Sequence, residues 1–509
     1  MNPFRLSIQA TPPQLLAEGL GPALDFLAAR GVDAIHLSTH TYYGVGPEPE
    51  WSRQPVPPTW SPDHSPRSHY PGRHGRAWVR HEPSRFRDVG LFHIGPGEND
   101  PTRGRDIFRE ILDAASERGL RIHARYLDGW GTCRQDALPG WDEVLVRTLD
   151  GGTLPIPCFA NPRVREWFRL TAAETAANYP ELESFFYGIE RGSTFNDVVF
   201  QHGQPPYCFC PCCENRARHF GIDPLRAREG YARLHRLCCE SRSGNRPPDG
   251  GLTILSRLLV QYPEIMAWDH LERGGVEEMP GIARAAVREA RPDCGFGLIA
   301  HQCIDPHRAA LEDWSLIRGQ ADYAVLRCYG HINGARLVHN VRERARGSLW
   351  AELSEAARFE IAWLALHPEN PPMPPPEQLD EEGDPPELLG AIFRRAAAAV
   401  GTETPLFAGL GVDISYPFPE RRQTPASYIH SALGTLKHHP PAGVLLCREY
   451  CEISGASIEA ASSALAGLKK GSQVQSPQSA ALQAAYAGRH DKAPINHPKS
   501  RNLKVPRSR

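Results

Sequence analysis

Short apolar runs recur along this chain, at 5–9, 34–37, 121–127, 185–189, 295–300, 323–328, 406–412 and 444–447. Each runs into a polar or aromatic residue. Most of the intervening stretches show the 3.6-residue period of an amphipathic helix, as at 13–29, 105–118, 163–177 and 427–438. Strands alternating with helices at this spacing predict a parallel sheet. Eight such units predict an α/β chain closed into a (β/α)₈ TIM barrel. In that architecture the chemistry stands where strands end and their loops begin. Those positions hold Tyr42, Tyr43, Asp128, Trp130, Glu190, His301, Tyr329, His331, Asp413 and Glu449.

A barrel needs about 250 residues, so a chain of 509 carries insertions or appended segments. We assign 1–470 to the barrel and read three interruptions within it. The first, 44–104, follows the second strand and is rich in Pro, Arg, His and Trp, including Trp51, Trp60, His69, Tyr70, His74, Trp78 and His81. Its aromatic content argues for a folded, lid-like loop over the active face rather than a disordered insert. The second, 191–293, follows the fourth strand and is Cys-rich, with helices expected at 224–240 and 252–272. The third, 367–386, is rich in Pro and acids and reads as a solvated loop before a helix at 387–399. Positions 471–509 are rich in Ser, Gln, Lys and Arg and read as a flexible tail.

The formal net charge is −2, and the Arg-rich stretches are interleaved with Asp and Glu. Nothing here favours nucleic acid or an anionic membrane, and no apolar run reaches the roughly 20 residues of a bilayer span. The first ten residues lack the pattern of a secretory signal, and 13 Cys is an odd number for a disulfide framework. The expectation is a cytoplasmic protein with mostly reduced thiols. It needs no organic cofactor, and homo-oligomerisation is left open.

The densest local signal is Cys208-Phe-Cys210-Pro-Cys212-Cys213. Cys210 and Cys213 form a CxxC, and Cys208 adds a third sulfur. Tetrahedral zinc asks for four Cys or His ligands. Cys158 is the best fourth, since it lies at the same end of the neighbouring unit, with His202 and His219 as alternatives. A structural zinc competes with buried free thiols and with a redox pair; the thioredoxin-like context for the last is missing.

Carboxylates close several strands: Asp128 the third, Glu190 the fourth, Asp413 the seventh and Glu449 the eighth. Glycosidic cleavage uses two carboxyl groups facing each other across the sugar, one protonated and one ionised. Strand ends on opposite sides of a barrel mouth can supply that pair, and Trp130, Tyr126, Tyr329, Tyr416 and Phe418 offer flat faces for sugar stacking. Each acid alone could be an ordinary ion-pair partner. There is no His-x-His after the first strand, no GxSxG and no P-loop.

The order Cys158, Glu190, Cys208-x-Cys210-x-x-Cys213 resembles glycoside hydrolase family 42, the β-galactosidases, and related uncharacterised glycosidase-like barrels. The resemblance covers 120–220 and implies that Glu190 is the general acid/base and that Cys158, Cys208, Cys210 and Cys213 hold a structural zinc. The family's nucleophile at the seventh strand would fall on Asp413, with Glu449 at the eighth as the alternative. Ile189 stands where the family has an Asn before its acid, and no Glu follows the seventh strand. Asp128, Trp130, His301, Tyr329, His331 and Tyr42 are the expected substrate contacts. The leading expectation is a glycoside hydrolase with a carbohydrate substrate. A non-catalytic carbohydrate-binding barrel is the rival, and a barrel isomerase using His301 or His331 the third choice.

Overall fold

The computed structural model describes residues 5–40, 77–96, 100–127, 140–189, 193–201, 205–245, 247–301, 313–345, 348–413 and 423–471. Eight parallel strands close into a barrel: β1 (Leu6–Ala10), β2 (Ala34–Ser38), β3 (Arg121–Leu127), β6 (Ser184–Gly188), β7 (Gly295–His301), β8 (Tyr323–Arg327), β9 (Leu406–Gly411) and β10 (Val444–Glu449). The hairpin β4 (Leu145–Arg147) and β5 (Thr153–Pro157) lies between the third and fourth barrel strands. All eight predicted strands are present, each within two residues of its expected bounds.

The closure follows from the strand sequences. Residues facing the helices, such as Ile8, Ile35, Tyr126, Phe185 and Phe296, join one continuous apolar core with the helices outside. Residues facing inward fill the barrel: Leu127, Phe186, Ile299, Tyr323, Val325, Phe407 and Leu445. Room for the Tyr323 ring comes from Gly297, where a Cβ would lie 2.3 Å from Tyr323 Cζ. The inside also holds polar side chains. His123 Nδ1 and Tyr323 Oη both meet Ser184 Oγ, at 2.7 and 2.9 Å, and the His36 ring stacks on His123. Burial holds the His123 imidazole down to about 3, so both rings are neutral packing pieces rather than charges.

The Cys-rich insertion has a core of its own, built from Phe209, Tyr231, Leu234, Ile265 and Trp268. Its helices are Pro211–His219, Pro224–Arg242, Gly251–Gln261 and Glu264–Ala290. The single helix expected at 252–272 is therefore two, because Pro263 cannot continue the first. The expected loop at 367–386 contains the helix Pro376–Glu382 with Leu379 fully buried. It packs so tightly on His331–His339 that a Cβ at Gly334 would reach Gly383 Cα at 2.8 Å. The β4–β5 hairpin was not expected: β4 has three residues, and Pro155 and Pro157 blur the alternation of β5. Of the first insertion 77–96 and 100–104 are described, and 77–96 packs against the end of the helix Pro162–Asn178, Tyr179 and Trp141. Whether 44–104 forms a lid lies largely outside the described residues, and so does the tail beyond Gly471. No described helix is long and apolar enough to cross a membrane.

Candidate active site and metal centre

At the C-terminal end of the barrel the inward positions turn polar. Arg125, the fifth residue of β3, is buried and reaches three other strands. Its Nη1 donates to Gln9 Oε1 on β1 at 2.6 Å, its Nη2 to Ser38 Oγ on β2 at 2.5 Å, and Nη2 again to Glu449 Oε1 on β10. Only 1% of the Arg125 side chain and 8% of the Glu449 side chain are exposed. The other Glu449 oxygen, Oε2, is buried without a hydrogen-bond partner among the described residues. A register irregularity carries the acid there: Ile8 pairs with Leu446, but the next residue, Gln9, already pairs with Glu449. Such bulges re-aim side chains at barrel rims.

Arg125 and Arg327 were missed by the sequence reading, although a signal existed. In Arg-Ile-His-Ala-Arg-Tyr-Leu the polar residues alternate, and one alternating set must face the barrel interior. The same alternation turns Tyr126 outward, where it is 1% exposed and packs on Phe168 and His40. It offers no face to a sugar, contrary to expectation.

Asp413 follows β9 and is fully buried. Its Oδ1 accepts from the Thr424 amide at 2.6 Å, and its Oδ2 from the Ser454 amide and hydroxyl at 2.8 and 2.9 Å. Burial pushes this carboxyl up, and the hydrogen bonds from Ser454 and Thr424 oppose the shift. With φ at 53° the backbone is in the left-handed region, which a non-glycine residue adopts at a cost that these bonds offset. The arrangement ties the segments after β9 and β10 together and uses both oxygens.

Tyr329, also left-handed with φ 55°, follows β8. Its hydroxyl accepts from Arg327 Nη1 at 3.1 Å, and the Arg336 guanidinium lies 4.6 Å over its ring. His331 is buried at the start of the helix His331–His339 and meets the Tyr428 ring edge-on. Beside it is an acid that the sequence reading left in a solvated loop. Asp384 is 3% exposed and accepts from Asn333 Nδ2 at 2.8 Å. Burial pushes its carboxyl up to about 7 against the lowering effect of that amide. Glu190, Asp128, Trp130 and Tyr42 lie outside the described residues, as do Tyr43 and the His301 side chain.

The four cysteines nominated from the sequence meet in one buried cluster, their sulfurs all within 4.8 Å of one another. Cys158 Sγ is 3.4 Å from Cys210 Sγ and 3.5 Å from Cys213 Sγ. Local structure explains the convergence. The β4–β5 hairpin delivers Cys158 directly after β5, with its amide bonded to the Val144 carbonyl, and the Phe209 amide pairs with Arg147 of the same hairpin. Cys210 is the N-cap of Pro211–His219, and its sulfur accepts from the Cys213 amide, so CxxC puts both sulfurs at one helix start. That end of a helix favours negative charge. Sulfur hydrogen bonds from Cys158, Cys208 and Cys213 pull the Cys210 thiol down, while Cys208 and Cys213 are pushed up. His219, on an exposed stretch, is not part of the group, and His202 lies outside the described residues. The ten cysteines whose side chains are described are free of disulfides.

No family model matches the chain, and no curated protein does. Solved structures do. The β-galactosidase of the psychrophilic Marinomonas ef1 superposes with a TM-score of 0.51 at 10% identity, over 91% of this chain and 59% of that one. The fold resembles that of this β-galactosidase. The β-galactosidase of the haloarchaeon Halorubrum lacusprofundi gives 0.48 at 13% identity over 91% and 58%. The catalytic domain of β-amylase from Paenibacillus polymyxa gives 0.44 at 10% over 91% and 99%. At these identities the likeness is one of fold, and this chain spans under three fifths of the length of the two β-galactosidases.

Proposed function

We propose that this chain is a glycoside hydrolase-like barrel acting on a carbohydrate at the C-terminal mouth, with Glu190 as general acid/base and Glu449 as its ionised partner. The observation that carries the reading is Glu449 itself. It is an acid at the end of a barrel strand, aimed by a bulge, oriented by Arg125, and left with one oxygen unpartnered among the described residues. A carboxylate oriented in this way suits attack on, or stabilisation of, an oxocarbenium-like centre. Asp413 fits that role poorly, because both of its oxygens are committed to backbone and hydroxyl donors.

A panel of activated aryl glycosides tests the assignment. Glu449→Gln should abolish turnover of every substrate that the wild type cleaves. Glu190→Gln should spare activated leaving groups more than poor ones, since the former need little protonation. Asp413→Asn should lower stability with little change in kcat for the folded fraction. The rival, a carbohydrate-binding barrel without hydrolysis, draws support from the saturated Asp413. Sugar binding by a wild type that cleaves no activated glycoside would establish it.

For the cysteine cluster we propose a structural zinc held by Cys158, Cys208, Cys210 and Cys213. Zn–S bonds near 2.3 Å need sulfurs about 3.5–4 Å apart, and the 3.4 and 3.5 Å separations lie close to that. The ion would join the β4–β5 hairpin to the start of Pro211–His219. The purified chain should carry zinc that Cys158→Ser removes; a wild type with well under one equivalent would contradict it.

A further inference from the structure

A second group of metal-ligating side chains lies between β2, the first insertion and the helix Pro162–Asn178. His40, His81 and His93 each place a ring nitrogen within 4.8 Å of the others. We propose that these three histidines form a site for a divalent transition metal of zinc type, separate from the cysteine cluster.

The hydrogen bonding decides which nitrogens are available. His40 Nδ1 is held by Thr39 Oγ1 at 3.0 Å, which leaves Nε2 facing the group. His93 Nε2 is held by Thr171 Oγ1 at 3.2 Å, which leaves Nδ1, and this atom is 3.2 Å from His40 Nε2. His81 Nδ1 is held by Glu174 Oε2 at 3.1 Å, which leaves Nε2. Metal-bound histidines commonly have their second nitrogen fixed by a hydroxyl, carbonyl or carboxylate in this way. Two nitrogens 3.2 Å apart are also near the separation that Zn–N bonds of about 2.0–2.1 Å impose in a tetrahedron.

A hydrogen bond between His40 Nε2 and His93 Nδ1 would account for two of the rings without an ion only if one threonine hydroxyl gave up the carbonyl it donates to, Arg125 for Thr39 or Trp167 for Thr171. It leaves His81 unexplained. Only 4% of that side chain is exposed, and its Nε2 is buried without a hydrogen-bond partner among the described residues. Leaving a buried ring nitrogen unpaired is unfavourable by about 1–3 kcal/mol, and a metal ion relieves this.

The supports are rigid. Thr39 is pinned through both its amide and its hydroxyl to the Arg125 carbonyl of β3. Thr171 and Glu174 are three residues apart on one helix and so share a face. Glu174 also accepts from the Glu82 amide, which fixes the turn that carries His81. As arranged, the His81 and His93 rings are stacked at 3.9 Å with 16° between their planes, so their lone pairs lie in nearly parallel planes and do not converge on one point between the rings. Coordination needs one ring to turn, and a cavity of about 390 Å³ lined by His81, His93, Trp78 and Phe92 gives it room. The same cavity opens a route for water to the coordination position that three protein ligands leave free.

The test is zinc content and ligand type in the full-length chain after zinc loading and dialysis. Wild type should hold one equivalent more than His81→Gln, and Glu174→Gln should weaken that equivalent by about 10–100-fold. Cys158→Ser should leave it in place, which separates this site from the cysteine cluster. Equal zinc content in wild type and His81→Gln overturns the proposal. Should His81→Gln fail to fold, X-ray absorption on the zinc-loaded wild type decides. A nitrogen shell at about 2.0–2.1 Å beside any sulfur shell supports the site, and a shell of sulfur alone overturns it.

Discussion

Replacing Arg125 by methionine leaves the Glu449 carboxylate inside the barrel without its counter-charge. The guanidinium is 1% exposed and the acid 8%, so water screens the pair little. Removing one partner of such a pair lowers stability by about 3–5 kcal/mol, because the remaining charge stays buried. Gln9 Oε1 and Ser38 Oγ lose donors at the same time. Glu449→Gln removes the charge but keeps the shape. The double variant Arg125→Met/Glu449→Gln should recover about 2 kcal/mol or more of the single Arg125→Met loss, since no isolated charge remains. Urea unfolding followed by tryptophan fluorescence and by far-UV circular dichroism measures this, provided the two probes give coincident transitions. An Arg125→Met loss below about 1 kcal/mol, the scale of an exposed pair, would refute the reasoning. So would strict additivity in the double variant.

Asp384 yields a pH prediction. Its folded carboxyl titrates at about 7, above the roughly 3.9 of an unfolded aspartate. Between those values the fold keeps a proton that the unfolded chain releases, so this group's contribution is full below about pH 4 and is lost as pH rises to about 7. Relative to wild type, Asp384→Asn should gain stability across that window by up to about 1.4 kcal/mol per pH unit; parallel curves would count against the buried-acid account. Gly297→Val should be destabilising by about 3 kcal/mol or more, as its side chain would overlap the Tyr323 ring, and a denaturation midpoint near that of wild type would contradict the packing. Chelation, or Cys158→Ser, should loosen the β4–β5 hairpin and Pro211–His219 before the barrel strands. Hydrogen exchange resolved by segment would show this as early exchange there, and uniform protection would argue against it.

The barrel was legible in the sequence because strand–helix alternation is a local pattern, and eight buried parallel strands leave eight apolar runs. The cysteine group was legible for a related reason. Three of its members lie within six residues, and the helix start that gathers two of them is marked by Cys210-Pro211. Folding decided the rest. Asp413 and Glu449 look alike as acids at strand ends, yet one has both oxygens held by three donors from other segments and the other is held across the barrel by Arg125. Asp384 looked solvated because its neighbours are prolines and acids, but the helix Pro376–Glu382 folds it under Asn333 and Tyr428. His40, His81 and His93 stand up to 53 residues apart and have no spacing signature. What holds them in place is Thr39 after β2, for His40, and Thr171 and Glu174 on a helix beyond β5, for His93 and His81. Period and composition act over a few residues, whereas the environment of a charged group depends on what the chain brings back from tens or hundreds of residues away.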